Sequence, residues 1–190
     1  NMRHNLILCV AFLSFFSCGQ EFSEPTRKQK KEYIQETKEF IKYIRTIEHQ
    51  NDTILLADIP NMKGITECIN GLYRDTTLFS IDEQESIKSQ INEPLLKRWD
   101  TKLVGKVNII SRDTITAIFK DRSKWWTYFY KHYGSSFNSF SAPIFLRNYT
   151  FCLFYSDHSC GGLCGSGQIT LYKKEGGTWK PLRSICDWIS

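Results

Sequence analysis

The hydrophobic residues of this sequence change their spacing along the chain, and that change limits the possible folds more than any other feature. Over residues 27–49 they recur at every third or fourth position with Lys and Glu between them, which is typical of an amphipathic helix. Over residues 149–188 they alternate with polar residues, and Gly176-Gly177 divides this region with the signal of a two-residue hairpin turn. The sequence therefore predicts an α+β fold with an N-terminal helix and a C-terminal antiparallel β-meander.

Two further helices are indicated in the middle of the chain. Ser80 is followed three residues later by Glu83, a capping box that predicts a helix ending near residue 93. Residues 122–133 form a strongly aromatic segment, and Gly134 after it is a helix stop signal. We expect this aromatic helix to pack on the meander.

Strand and turn signals lie between these helices. Residues 53–57 are apolar and predict a short strand, and Asn70-Gly71 predicts a turn. Residues 103–110 and 113–119 are rich in Val, Ile and Thr, which predicts a β-hairpin.

Composition narrows the class of protein. The chain has 190 residues with 41% hydrophobic and 24% charged residues, enough for one domain with a packed core, so wholesale disorder is excluded. The formal charge of +5 is modest and spread out, which argues against a nucleic-acid binder. The sequence contains no motif that predicts a cofactor, a catalytic triad or paired catalytic carboxylates, so we expect no cofactor.

The N-terminus has the layout of a secretory signal peptide. A short basic start precedes an apolar run at residues 6–16, which is too short to span a bilayer as a helix, since that takes about 20 residues. A small residue then precedes Cys18. The segment that ends in this cysteine resembles the lipobox of bacterial lipoproteins, although both of its first two positions hold Phe; it reads Phe15-Phe16-Ser17-Cys18.

This resemblance implies that Cys18 is lipidated after residues 1–17 are removed. Residues 18–26 would then be a lipidated tether and residues 27–190 a single α+β domain, best defined over 120–190. No Asp follows the cysteine, so the outer membrane is the expected location, and the lipid anchor makes the membrane itself a partner.

The C-terminal third carries a second resemblance. It combines an aromatic segment, a Gly/Cys-rich segment and a terminal Trp-Ile-Ser: Trp126-x-x-Phe129-Tyr130-Lys131-x-Tyr133, Cys160-Gly161-Gly162-Leu163-Cys164-Gly165-x-Gly167 and Trp188-Ile189-Ser190. Over residues 120–190 the chain is similar to a type of small exported bacterial domain, often lipid-anchored, whose function is unknown. The likeness implies class and location only.

The Gly/Cys-rich segment 157–167 allows three interpretations. The first is a structural hairpin loop whose glycines give backbone freedom and whose Cys160 and Cys164 form a short disulfide. The second is a metal site with His158, Cys160 and Cys164 as ligands, for which a fourth ligand is not identified. The third is a Cys–His nucleophile pair of Cys160 and His158 in a hydrolase-like enzyme. Pairing among the other cysteines stays open; they include Cys68, Cys152 and Cys186.

Aromatic side chains beside cations offer a candidate binding surface at Trp125, Trp126 and Tyr130. The alternative is that these rings belong to the core with only their outer edges exposed. The resulting hypothesis is a non-enzymatic envelope protein that binds a protein or a small ligand. The alternative hypothesis is an enzyme that uses segment 157–167.

Overall fold

The computed structural model describes residues 25–48, 53–72 and 77–190, and of Glu48 and residues 68–72 only the backbone. The predicted signal peptide and Cys18 lie outside the described residues. In chain order the described elements are α1 (Arg27–Glu48), β1 (Ile54–Ala57), α2 (Met62–Leu72), α3 (Ile81–Asn92), α4 (Thr101–Val104), β2 (Val107–Ile110), α5 (Arg112–Lys120), α6 (Trp125–His132), β3 (Phe137–Phe140), β4 (Ile144–Leu146), β5 (Phe151–Gly161), β6 (Cys164–Glu175) and β7 (Thr178–Ile189).

One mixed sheet of the described strands organises the fold. Its order is β2-β1-β3-β5-β6-β7, and β4 also pairs with β5. Strand β1 runs parallel to β2 and β3, whereas β3, β4, β5, β6 and β7 pair antiparallel. The α+β class is confirmed, with the expected antiparallel strands at the C-terminal end. The strand predicted at residues 53–57 is present as β1, but its parallel pairing with β2 and β3 was not predicted.

The central strands of the sheet bury side chains on both faces, because successive side chains of a strand point in opposite directions. On β5, Cys152 and Phe154 belong to a core that also contains Phe40 of α1. Their neighbours Leu153 and Tyr155 belong to a second core, which includes side chains of α2 and α3. Helices therefore cover the central strands from both sides.

Helix α1 confirms the predicted amphipathic helix. Its buried stripe includes Phe40, Ile41 and Ile44, all fully inaccessible to solvent, while charged side chains occupy the outer surface. Among the described residues, no helix is long and apolar enough to cross a membrane.

The predicted capping box of α3 is also confirmed. The Ser80 hydroxyl accepts a hydrogen bond from the Glu83 backbone N–H at 3.3 Å, and the Glu83 carboxylate accepts one from the Ser80 N–H at 3.0 Å. Arg147 donates two further hydrogen bonds to this carboxylate, at 2.6 and 3.0 Å, which lower the pKa of Glu83. The start of α3 is thereby tied to the turn between β4 and β5.

The predicted hairpin of residues 103–110 and 113–119 is wrong. Only β2 is a strand, and the second segment is helix α5, whose N-cap Ser111 accepts a hydrogen bond from the N–H of the third residue after it. Ile115 and Ile118 of α5 are buried at helical spacing. The segment is rich in β-branched residues, which favour strands, so the helical spacing of its buried residues was overlooked. Tertiary burial outweighs this intrinsic propensity.

The turn predicted at Asn70-Gly71 is wrong as well, because both residues lie inside helix α2. By contrast, the turn at Gly176-Gly177 is confirmed: it joins β6 to β7 with φ angles of 56° and 80°, which glycine adopts without steric cost.

The aromatic helix α6 begins three residues later than predicted and ends before Gly134, whose φ is 126°. Its Phe129 is fully buried in a third core together with Ile110, Ile118 and Phe137. The helix therefore packs on α5 and on the β1–β3 part of the sheet. Only its outer edge reaches the meander, at the end of the β5–β6 hairpin.

Candidate functional site: the aromatic tip of the β5–β6 hairpin

The segment predicted as a Gly-rich loop is instead the end of a long two-stranded hairpin. Strands β5 and β6 remain paired out to Gly161 and Cys164, so only Gly162 and Leu163 form the turn. A disulfide joins Cys160 to Cys164 across this turn. The hairpin end is therefore covalently closed and cannot separate into two free strands.

The glycines here provide space and not unusual backbone angles. None of Gly161, Gly162, Gly165 and Gly167 has a positive φ. A Cβ atom on Gly162 would lie 3.1 Å from Cη2 of Trp125, closer than most real contacts of this kind. The sequence interpretation, which gave these glycines the role of backbone freedom, is corrected: they allow aromatic rings to lie directly on the hairpin backbone.

Tyr130 approaches the same end of the hairpin. Its hydroxyl donates a hydrogen bond of 2.7 Å to the Cys160 carbonyl, and a Cβ atom on Gly161 would lie 3.2 Å from its oxygen. Trp126 lies behind the Tyr130 ring, with ring centroids 5.5 Å apart and planes tilted by 31°. Helix α6 and the hairpin thus hold the Tyr130 ring from two sides.

Trp188 of β7 packs against the next two glycines of β6. Its ring approaches the positions of Gly165 and Gly167, and its indole N–H donates a 3.2 Å hydrogen bond to the Tyr155 hydroxyl. The backbone N–H of Ser190 donates to the Gly165 carbonyl at 2.9 Å. The terminal Trp-Ile-Ser is therefore attached along the hairpin.

We define the aromatic tip as Trp125, Tyr130 and Leu163. Leu163 at the turn is 90% exposed, Trp125 51% and Tyr130 47%. Of the predicted surface residues, Trp125 and Tyr130 are exposed, but Trp126 is half-buried against Phe137 and helps form the third core. The sequence interpretation missed Leu163, although an apolar residue between two glycine-flanked cysteines was a usable signal.

A cleft of about 450 Å³ lies beside the tip. Tyr130, Ser135, Ser136, His158 and Cys160 line it. The two serines come from the connection between α6 and β3, which no motif marked as functional.

His158 is held within this cleft by a neighbour on β3. Its Nδ1 lies 3.2 Å from Oδ1 of the buried Asn138, and since an amide oxygen only accepts, Nδ1 is the donor. The neutral ring then carries an acceptor at Nε2.

Asp157, although next to His158 in sequence, belongs to a different environment. Strand alternation turns its side chain to the other face of β5, where it accepts a 2.9 Å hydrogen bond from the Asn61 amide. Burial raises the pKa of Asp157, while hydrogen bonds from Asn61 and Ser139 act in the opposite direction. Asp157 and His158 thus do not form an acid–base pair.

The disulfide determines what Cys160 can do. Its sulfur is bonded to Cys164, so neither residue has the thiol that a nucleophile or a thiolate metal ligand requires. Among the described residues, no group of three or more His, Cys, Asp or Glu is placed to hold a metal ion. Cys186 is disulfide-bonded too, whereas Cys152 is a buried free thiol whose pKa is raised by burial.

Comparison of the chain with protein-family models, with curated proteins and with solved structures found no match. The resemblances described from the sequence remain predictions.

Proposed function

We propose that this protein is a lipid-anchored protein of the bacterial cell envelope, at the outer membrane, and that its domain is a non-enzymatic binding module. Its partner, a protein or a small ligand, would dock on the aromatic tip. Exposed aromatic side chains held on a rigid support are favourable binding groups, because little conformational entropy is lost when they are covered.

The backbone of Trp125 is the observation that carries this proposal. Its φ is 37°, a left-handed conformation that costs a non-glycine residue about 1–2 kcal/mol and is exceptional for a bulky side chain. Trp125 nevertheless remains 51% exposed, so only part of its side chain is buried in return. Backbone strain of this kind is concentrated at functional sites, which supports a binding role for the ring.

The position of the tip within the fold agrees with a partner outside the membrane. Pro25, where the described chain begins, lines a cleft with Arg147 and Tyr149, next to the start of β5. The tip lies at the other end of this strand, roughly 33 Å away for ten residue steps. A tether from Cys18 to Pro25 reaches at most about 24 Å. Lipidation at Cys18 would therefore leave the tip free to point away from the lipid surface.

Photo-cross-linking in cells of the source organism tests the docking surface. Replacing Leu163 by the photoreactive p-benzoyl-phenylalanine places the probe at the turn, and the same replacement of Ile81 is the matched control. Ile81 is 76% exposed and lies on α3, toward the Pro25 end of the molecule. We expect a discrete adduct from position 163 and little or none from position 81. Equal yields from both positions would contradict the proposal, as would the lack of an adduct at 163 together with the lack of small-ligand binding at the tip.

Lipidation is tested separately. We expect the parent protein to incorporate radiolabelled fatty acid and the Cys18→Ser variant to remain unacylated and uncleaved, because that cysteine would be the acceptor. Gel mobility and autoradiography report both results. Label that still enters the Cys18→Ser variant would contradict the anchor without bearing on the tip.

A further inference from the structure

The cleft beside the aromatic tip is lined by Tyr130, Ser135, Ser136, His158 and Cys160. We propose that it binds a saccharide unit, which would contact the Tyr130 ring and the hydroxyls of Ser135 and Ser136. This inference rests on the proposed function and names its ligand class.

The polar groups of the cleft can both donate and accept hydrogen bonds. Each serine hydroxyl has one donor and two acceptor positions, and the Tyr130 oxygen, whose proton is given to the Cys160 carbonyl, still accepts. In its neutral form, His158 adds an acceptor at Nε2, since the hydrogen bond to Asn138 places the ring proton on Nδ1. A sugar ring, whose hydroxyls are also donors and acceptors, satisfies such a set better than a ligand with one kind of polar group.

The exposed rings supply the apolar part of the contact. The face of an aromatic ring carries partial negative charge and attracts the positively polarised C–H groups that line one face of a sugar ring. Tyr130 is 47% exposed, and Trp126 and the Cys160 carbonyl already fix its orientation. A platform held this way loses little freedom when a ligand covers it.

The charge of the cleft argues against an anionic ligand or an acidic peptide. None of the residues that line it is Lys, Arg, Asp or Glu. Lys124, at the start of α6, is paired with Asp121 at 3.3 Å. Recognition of phosphate or carboxylate groups ordinarily uses Arg or Lys aimed at the ligand. The volume of about 450 Å³ lies within the range of small-ligand sites.

Sugar titration of the full-length protein tests this inference. The protein is held in micelles of a detergent without a sugar headgroup, and tryptophan fluorescence is followed while chitotetraose, cellotetraose or maltotetraose is added up to its solubility limit. We expect a saturable change with at least one of these probes. Tyr130→Ala should weaken that binding at least about tenfold, and Ser136→Ala about fivefold, the effect of one lost hydrogen bond.

Tyr133→Ala is the matched control, because Tyr133 is 40% exposed next to the same helix and does not line the cleft. We expect its affinity to equal that of the parent. No saturable change with any probe, or equal weakening by Tyr130→Ala and Tyr133→Ala, would overturn the inference. A polypeptide adduct at position 163 together with no response to sugar would overturn the saccharide alone and retain the docking surface. Absence of both signals would overturn the proposed function as well.

Discussion

Phe40→Ala is expected to lower the free energy of unfolding by about 3–5 kcal/mol, as for other fully buried phenylalanines. Phe40 of α1 is inaccessible to solvent, and its ring lies edge-on to four aromatic rings of the sheet region, with centroids 5.1–6.2 Å away. These rings belong to Phe145, Phe154, Tyr172 and Trp179. The cavity would open at the centre of the first core, where no neighbour can close it without leaving its own contacts. Urea denaturation followed by circular dichroism measures the change.

Ile47→Ala provides the control on the same helix, because Ile47 is 44% exposed. We expect it to change the free energy of unfolding by less than about 1 kcal/mol. If residues 27–190 form one domain, Phe40→Ala will shift a single cooperative transition. A Phe40→Ala variant that unfolds like the parent, or that separates into two transitions, would contradict the packing of α1 on the sheet.

The parts of the fold that could be predicted from sequence were those with a strong local signal. The three-and-four spacing around Phe40 and the reciprocal bonds of Ser80 and Glu83 each depend on neighbours within a few positions. Helix α5 was not predicted, because its isoleucines favour strands when only local propensity is considered. Its N-cap Ser111, before Ile115 and Ile118, was a signal that could have identified the helix.

The parallel strands could not be predicted because their pairing joins distant parts of the chain. Leu56 of β1 pairs with Asn138 of β3, more than 80 positions later. Local propensity carries no information about such a pairing, and tertiary burial of both strands decides it. The cleft could not be predicted for the same reason, since Ser135 and Ser136 come close to His158 only when β3 pairs with β5.

The sequence predicted two of the residues of the candidate site but not how they are arranged. Trp125 and Tyr130 were named from their aromatic clustering, and both are exposed. That the glycines of the hairpin accommodate these rings could not be derived from the sequence, because a glycine needed for a left-handed turn and one needed for close approach look identical. Gly176 is of the first kind and Gly162 of the second.

Trp125→Gly is expected to separate binding from stability. Glycine adopts a φ of 37° without strain, and this gain offsets the loss of a ring that is half exposed. We therefore expect the free energy of unfolding to stay within about 1 kcal/mol of the parent value. Binding should fall at least about tenfold, since an aromatic residue at the centre of a contact surface commonly contributes 2 kcal/mol or more.

The yield of the photo-cross-link from position 163, compared between the parent and the Trp125→Gly background, is the most direct measurement of the docking role of the tip. Tyr133→Ala in the same assay controls for a general effect of losing an exposed aromatic ring near α6. We predict that the yield falls at least about tenfold in Trp125→Gly and is unchanged in Tyr133→Ala. An undiminished yield from folded Trp125→Gly protein would contradict a binding role for the aromatic tip.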